Sequence, residues 1–332
     1  MTSMIALQVE RLSEDLSGVR LAEVPVPQAT AGRVLGRVEA ASLNYPDLLM
    51  TRGEYQLKPE LPVTLGGDFA GTVIDAGGSA FGPGSRVWGL ARGTFAEYAL
   101  ADPASLEALP AEASFAEGAA YGTGYLTAYV ALVERARLAR GEWVLVHGAS
   151  GGMGLAAVDL AKALGARVIA TSSDEAKLAR IAELYPVDAV LPSSGFRARV
   201  LDLTGGRGAD VVFDPVNGEV FDESQRCIAF DGRLLVIGFT SGERRSLRSN
   251  IALIKGFSLI GVRAGEYCRR FPERRPRIMA ALSQLLAERK VAPHVDCEFP
   301  LERWRDAFAR MERREMVGKI VLTTAALARG CD

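Results

Sequence analysis

Histidine is almost missing from this chain, with His147 and His294 the only two among 332 residues. Cysteine is scarce too, and its four copies, Cys227, Cys268, Cys297 and Cys331, lie far apart in sequence. That spacing contains neither a disulfide framework nor a Cys-x-x-Cys metal knuckle, so four reduced thiols of a cytoplasmic protein are expected. Zinc sites are built mainly from Cys and His, and with so few of either no metal site with ordinary ligands is expected. A strong charge of either sign is lacking as well. The formal net charge is -1 and the pI about 6.3, which removes the electrostatic motive for a nucleic-acid or membrane-surface partner. No run approaches the roughly 18 apolar residues that span a bilayer. The amino-terminal MTSMIALQVERLSEDL has no long apolar segment of the kind a signal peptide needs, and the expectation is a soluble protein.

What is present is ordinary globular material, 48% hydrophobic, in a chain longer than one core usually serves. Two domains are expected. The first 120 or so residues carry short β-branched runs, at 33–38, 71–74 and 85–88, between turn signals such as Gly82-Pro83-Gly84, which predicts an irregular β-rich domain. From about residue 124 strands and helices alternate. The wholly apolar run ending at His147 (WVLVH) reads as a strand buried on both faces. A helix with Ala156, Leu160, Ala163 and Leu164 on one face follows it, closed by Gly165. Strand 167–171, helix 174–184 and apolar runs at 211–213, 234–237 and 259–262 continue the βαβ rhythm of a parallel sheet. A long amphipathic helix over 272–290, a strand at 294–299, a short helix at 304–311 and a final strand at 319–323 complete the chain, with ALARGCD as a frayed end.

Between the first of those strands and its helix stands His147-Gly148-Ala149-Ser150-Gly151-Gly152-Met153-Gly154. From Ala149 to Gly154 it follows the dinucleotide fingerprint G-x-G-x-x-G, with Ala149 replacing the first glycine. Gly151 allows the backbone to approach a pyrophosphate, Gly154 allows close packing of helix on sheet, and the helix start offers N–H groups to phosphate. Cofactor contacts are therefore expected at Ala149, Ser150, Gly151, Gly152, Met153 and Gly154. An NAD enzyme places a carboxylate about 20 residues further on. Here that position holds Thr171, Ser172 and Ser173, with Lys177 one turn later. Hydroxyls plus an ammonium suit the 2′-phosphate of NADPH better than the free ribose of NADH. Lys177 is equally readable as a solvated helix lysine beside Asp174 and Glu175.

Six segments carry a wider resemblance: Asn44-Tyr45-Pro46-Asp47, Arg52-Gly53-Glu54-Tyr55, Leu65-Gly66-Gly67-Asp68-Phe69-Ala70-Gly71-Thr72-Val73, Gly93-Thr94-Phe95-Ala96-Glu97-Tyr98, the HGASGGMG turn, and Val317-Gly318-Lys319-Ile320-Val321-Leu322. Over nearly its full length the chain resembles the medium-chain dehydrogenase/reductases, specifically their zinc-independent NADPH:quinone oxidoreductase branch. The fold implied is α/β: a GroES-like β-rich catalytic domain from residues 1–123 and 265–332, and a Rossmann doubly wound parallel sheet inserted at 124–264, with the active site in the cleft between. The resemblance also implies a homodimer that pairs Rossmann sheets along 257–262. The zinc branch has Cys where this chain has Asn44 and His-Glu where it has Gly67-Asp68, which again implies no metal.

By the same resemblance Asn44 and Asp47 lie beside the nicotinamide ribose and the substrate, although Asn-Tyr-Pro-Asp is also a sound turn sequence. Tyr55 stands where enoyl-thioester reductases of the superfamily carry a tyrosine proposed as proton donor, and Tyr45 adds an aromatic wall. Thr127 matches a position near the nicotinamide, with an interior helix threonine bonded to its own backbone as the alternative. Phe239 and Thr240 follow the fifth strand of the sheet at its carboxyl edge. Lys319 is placed either against the cofactor or on a surface strand. Two departures stand out: Leu191-Pro192-Ser193 replaces an aromatic common in the branch, and Arg263 is an unusual cation that either salt-bridges at the surface or selects an acidic substrate. Without a Lewis acid, reduction of an already electrophilic acceptor is the accessible chemistry. NADPH-dependent reduction of quinones is the leading expectation. Reduction of α,β-unsaturated carbonyls or enoyl thioesters, with Tyr55 as the acid, is the alternative, and a non-catalytic NADPH-binding partner or structural protein is the third.

Overall fold

The computed structural model describes residues 2–324; the expected frayed end ALARGCD lies outside them. The chain divides into two compact units. One comprises the stretch through Thr123, Met279–Ala287 and the stretch from Pro293 onward; the other comprises Gly124–Ile278 and Glu288–Ala292.

In the first unit seven strands form one sheet. Its path runs Val295–Pro300, Lys319–Thr323, Val34–Ser42, Asp68–Asp75, Arg86–Leu90 and Leu106–Ala108, and Tyr98–Ala101 also pairs with Val34–Ser42. A second sheet of three strands holds Val19–Pro25, Ser3–Val9 and Val63–Thr64. Short strands broken by turns are what the Gly- and Pro-rich sequence calls for. Inward strand residues such as Leu7, Val38 and Phe69 pack with Phe95 and with Trp304 and Phe308 of the helix Trp304–Glu312 in one core. The final strand pairs antiparallel with Val34–Ser42, Val321 opposite Ser42, and Leu43 N–H donates to Ile320 O at 2.9 Å. This register sets Lys319 beside Leu43 and Asn44.

The second unit is a six-stranded sheet in the order Ala189–Pro192, Arg167–Ser172, Trp143–Val146, Ala209–Asp214, Ile228–Val236, Ser258–Gly261. Every pairing is parallel. Numbered along the chain this is 3-2-1-4-5-6, the doubly wound order whose direction reverses between the first and fourth strands. Trp143–Val146 is buried at every position, as a strand covered on both faces must be. Gly165 adopts φ 79° just past the helix Gly152–Ala163, the left-handed step that a terminating glycine provides. The predicted helix over 272–290 is realised as a 3-10 turn, Pro272–Arg274, followed by Arg275–Ala287. A π-helical segment at Val130–Arg135 has no signature in the sequence pattern.

Cys227 and Cys268 are free and buried. Cys297 is disulfide-bonded, which corrects the expectation of four reduced thiols; sequence spacing excludes a knuckle but does not limit pairing through space. Cys331 lies outside the described residues. Among the described residues no helix is long and apolar enough to cross a membrane.

Candidate functional site

In the second unit the glycine turn sits where the strand order reverses. Ala149 N–H donates to Thr171 O at 3.0 Å and Gly151 N–H to Gly148 O at 3.0 Å, which ties the turn to the neighbouring strand and to itself. Gly151 is the N-cap of the helix Gly152–Ala163, at φ −76° and ψ 158°. The first-turn N–H groups have no carbonyl within the helix to bond and point toward the turn's open side. The two glycines the fingerprint retains, Gly151 and Gly154, differ in what excludes a side chain. A Cβ on Gly154 would stand 2.3 Å from Gly148 O and 2.8 Å from Ala149 Cα. A Cβ on Gly151 would meet nothing closer than Gly148 O at 3.5 Å, and its φ is one any residue adopts. The fold thus requires glycine at 154. At 151 it leaves room that a phosphate chain lying against the backbone would fill.

The expected phosphate hydroxyls are not equivalent. Thr171 is fully buried, and its Oγ1 lies 2.9 Å from His147 Nδ1 and 3.4 Å from Val146 O. Thr171 and Ser172 are both buried, and the Thr171 hydroxyl is engaged by His147. Ser172 Oγ lies 3.4 Å from Ser150 Oγ and Ser173 is exposed. Lys177 is the third residue of the helix Glu175–Leu184, its N–H donating to the N-cap carboxylate of Asp174 at 3.2 Å. No acidic side chain occupies the tip of the strand Arg167–Ser172 itself. Phe239 is exposed, with the Arg244 guanidinium 5.6 Å from its ring centre. Thr240 bonds Pro215 O through both its N–H and its hydroxyl, each at 3.1 Å. Thr127 is buried on Phe115–Tyr129 and makes no side-chain hydrogen bond among the described residues, so it is not the self-bonded helix threonine of the alternative reading. Arg263 is exposed and has no ion-pair partner among the described residues, which removes the surface salt bridge.

Two buried groups at this sheet were not foreseen. His147 is fully buried, with Nε2 2.7 Å from Ser224 Oγ, and burial pushes its pKa down to about 3. Asp214, at the end of the fourth strand, accepts from Val216 and Asn217 N–H through Oδ1 at 2.9 and 2.8 Å. Its Oδ2 is buried without a partner, and burial raises its pKa to about 6. The signal for both was a polar residue ending an otherwise apolar strand run.

In the first unit Asn44 is the N-cap of the helix Tyr45–Arg52, with Pro46 in its first turn and Gly53 closing it at φ 70°. The motif thus starts a helix. Asp47 Oδ2 accepts the Asn44 N–H at 2.8 Å. Asp47 is 2% exposed, and burial, reinforced by the charge of Asp68, pushes its pKa up to about 7 against the Asn44 N–H and Lys319. Asp68, which the sequence reading left without a role, is fully buried. It accepts from Ser42 Oγ at 2.8 Å, Asn44 Nδ2 at 3.0 Å, Thr123 N–H at 3.2 Å and the Thr123 hydroxyl. Lys319 is buried, not on an exposed strand face. Its Nζ donates to Asn44 Oδ1 at 2.7 Å and Leu43 O at 3.2 Å, and stands 3.9 Å from Asp68 Oδ2. Burial lowers its pKa, while Asp68 and Asp47 oppose that shift. So the structure joins Asn44, Asp47 and Lys319. Tyr45 is exposed, and Tyr55 is half-buried with no side-chain hydrogen bond among the described residues. Among the described residues no group of three or more His, Cys, Asp or Glu could hold a metal ion.

A doubly wound sheet with a glycine turn at its reversal point, in one chain with a β-rich unit holding a buried polar cluster, is the architecture of two-domain dinucleotide-dependent oxidoreductases. Residues 30–139 match the alcohol dehydrogenase GroES-like domain and residues 152–284 match the domain described as zinc-binding dehydrogenase. The chain is 33% identical over 294 residues to the quinone oxidoreductase-like protein 2 homolog of Nematostella vectensis, covering 86% of this chain and 80% of that one. A mycobacterial protein solved in complex with NADPH superposes with a TM-score of 0.87 at 29% identity, over 96% of this chain and 100% of the other. The JamJ enoyl reductase in its apo form gives 0.85 at 26% identity, over 97% and 99%. The chain belongs to the medium-chain dehydrogenase/reductase family, in its quinone oxidoreductase-like branch.

Proposed function

We propose that the protein is an NADPH-dependent reductase of quinones that works without zinc. The observation that carries the dinucleotide part is Gly151, an N-cap at the reversal point of the sheet where the backbone leaves room for an approaching phosphate. The Nematostella relative's name and the NADPH in the mycobacterial structure support the same reading. Ala149, Ser150, Gly151, Gly152, Met153 and Gly154 would hold the pyrophosphate, Ser172, Ser173 and Lys177 the 2′-phosphate, and Thr127, Phe239 and Thr240 the nicotinamide side. When bound, the reduced nicotinamide supplies a hydride. Tyr45 would stack on a flat acceptor, and Asn44 and Asp47 would order the adjoining backbone. With its oxygen taken by the Lys319 ammonium, Asn44 is a poor metal ligand, since a second cation there would be repelled. The domain boundary at 123–124 fits this division of labour, while the chain returns to the first unit at Met279 rather than near 265. The open edge strand Ser258–Gly261, with Leu253, Ile254 and Leu259 exposed, suits a homodimer.

Reduction of α,β-unsaturated carbonyls or enoyl thioesters is the second reading, favoured by one observation. The Tyr55 phenol has no hydrogen-bond partner among the described residues, leaving its proton available for carbon. Loss of NADPH absorbance, and separately of NADH, followed with 1,2-naphthoquinone, an alkenal and crotonyl-CoA decides between them. NADPH-driven quinone turnover, changed less than about threefold by Tyr55→Phe, is expected. A preference for crotonyl-CoA or the alkenal that falls ~100-fold in Tyr55→Phe, the scale of lost general-acid catalysis, replaces the quinone assignment. NADPH binding with no turnover at all makes the protein a non-catalytic binder.

A further inference from the structure

Two loops close the carboxyl edge of the sheet at its fourth and fifth strands, residues 215–218 and 237–248. The run Asp214-Pro215-Val216-Asn217-Gly218 shapes the first. Pro215 brings no N–H, so the Asp214 carboxylate takes the next two, from Val216 at 2.9 Å and Asn217 at 2.8 Å. The chain then turns left-handed at Asn217, φ 62°, and Gly218, φ 66°. Asparagine tolerates that region, but glycine tolerates it better, so the turn alone does not call for a side chain at 217. The Asn217 side chain is buried, and its Oδ1 accepts the Arg245 N–H at 2.8 Å from 28 residues further along. The near end of the second loop is stitched to the first through backbone: Thr240 N–H donates to Pro215 O at 3.1 Å and Ser241 N–H to Val216 O at 3.0 Å. Its far end differs. Among the described residues the bond from Arg245 to Asn217 is the one hydrogen bond by which the backbone of 243–247 reaches outside the loop. Leu247 packs on the unit's core, and the exposed ion pair of the Arg245 side chain with Asp222, at 3.6 Å, adds little.

Tying that far end places what lies next to it. Arg244, one residue before the tie, holds its guanidinium 5.6 Å from the ring centre of Phe239, at the head of the same loop. In the strand order 3-2-1-4-5-6 a dinucleotide lies across the reversal point, one nucleotide over each half of the sheet. The pyrophosphate turn follows the first strand and the 2′-phosphate candidates follow the second, which gives the fourth to sixth strands to the nicotinamide nucleotide. We propose that Asn217 is a positioning residue for that half: through the Arg245 N–H it fixes the loop after the fifth strand, so that Phe239 and Thr240 meet the nicotinamide nucleotide already in place. The inference rests on the reading that this sheet binds NADPH. A loop held before binding loses little freedom when the ligand arrives, whereas an untied loop must be ordered at the expense of affinity. The adenosine half lies on the other side of the reversal point and does not depend on the tie.

Asn217→Gly removes the acceptor and keeps the left-handed turn, while Arg245→Pro removes the donor and leaves Asn217. Calorimetric titration with NADPH and with 2′,5′-ADP, which carries the phosphorylated adenosine half and no nicotinamide, reads the two halves separately. In Asn217→Gly the NADPH Kd is expected to rise about tenfold, the scale of one lost hydrogen bond, while the 2′,5′-ADP Kd stays within about twofold of wild type. In the cofactor-free protein, trypsin is expected to cut after Arg244 or Arg245 about tenfold faster than in wild type, since the same bond limits local opening. An unchanged NADPH Kd in a folded Asn217→Gly overturns the inference. So does a 2′,5′-ADP Kd that rises in step with that of NADPH, because Asn217 would then support the whole edge, and so does an unchanged cleavage rate. Should Asn217→Gly not fold, the two Kd values in Arg245→Pro decide by the same criteria. A wild type that does not bind NADPH marks the failure of the cofactor reading itself, and the inference falls with it.

Discussion

Gly151→Ala is expected to fold as the wild type does and to bind NADPH about 100-fold less tightly, while Gly154→Ala is expected to fail at the level of the fold. The two variants differ by the same methyl group, three residues apart in one turn. At 154 that methyl would enter the backbone itself, 2.3 Å from Gly148 O and 2.8 Å from Ala149 Cα. Backbone atoms have no rotamer into which to retreat, so the helix must lift from the strand end. Forced overpacking of this kind costs about 1–3 kcal/mol, and more where nothing yields. At 151 the methyl meets only ordinary contacts and no strained φ. It would, however, occupy the space where a pyrophosphate must come close enough to bond the helix N–H groups. Displacing that contact by about an ångström removes charge-assisted hydrogen bonds each worth ~1.5–3 kcal/mol, which gives the stated loss. Thermal midpoints and NADPH fluorescence titrations check both. A Gly151→Ala protein that binds NADPH as wild type does would remove the observation on which the function rests.

That turn was legible from sequence because strand, glycines and helix follow one another without a break, and each obeys a local rule. Gly165, the apolar run before His147 and the order of strands and helices were legible for the same reason. The cluster around Asn44 was only half legible. Asn44 and Asp47 share a helix start and were singled out together, but Asp68 and Lys319 reach them through sheet register, which no local pattern encodes. Lys319 in a terminal strand looks like any edge lysine until the pairing with Val34–Ser42 is known. The engagement of Thr171 by His147 was not legible either, since it depends on packing between a strand end and the next strand's histidine. Cys297 shows the same limit: a covalent partner through space leaves no trace in spacing.

Replacing His147 by glutamine is expected to cost stability that depends on pH, more at pH 7.5 than at pH 4.5. His147 is fully buried between Thr171 and Ser224. The Thr171 hydroxyl has one hydrogen, and if that hydrogen goes to Val146 O, Thr171 accepts from Nδ1–H and Nε2 takes the Ser224 hydrogen. That assigns one neutral tautomer with both ring nitrogens satisfied. Protonation would give Nε2 a hydrogen facing another donor in a dry interior, and burial accordingly holds the pKa near 3. In the unfolded chain an imidazole titrates near 6.5. As pH falls below that value the unfolded state binds a proton that the folded state refuses, so this stability is fully present above about pH 6.5 and lost toward the folded pKa. Asp47 and Asp214 act in the opposite sense over an overlapping range. Their pKa values are raised to about 7 and about 6, so what they contribute is present at low pH and is lost as pH rises toward those values. Two carboxyls outweigh one imidazole, so wild-type stability is expected to fall by about 1.4 kcal/mol per pH unit from pH 4.5 to about pH 6, and removing His147 steepens that fall. The gap between wild type and His147→Gln should widen by about 1.4 kcal/mol per pH unit between pH 4.5 and 6.5, roughly 3 kcal/mol in all, and then level off above pH 7. Urea unfolding of both proteins at pH 4.5, 5.5, 6.5 and 7.5 measures it. A gap that stays constant with pH would mean that His147 is protonated equally in both states, and the buried neutral imidazole would have to be abandoned.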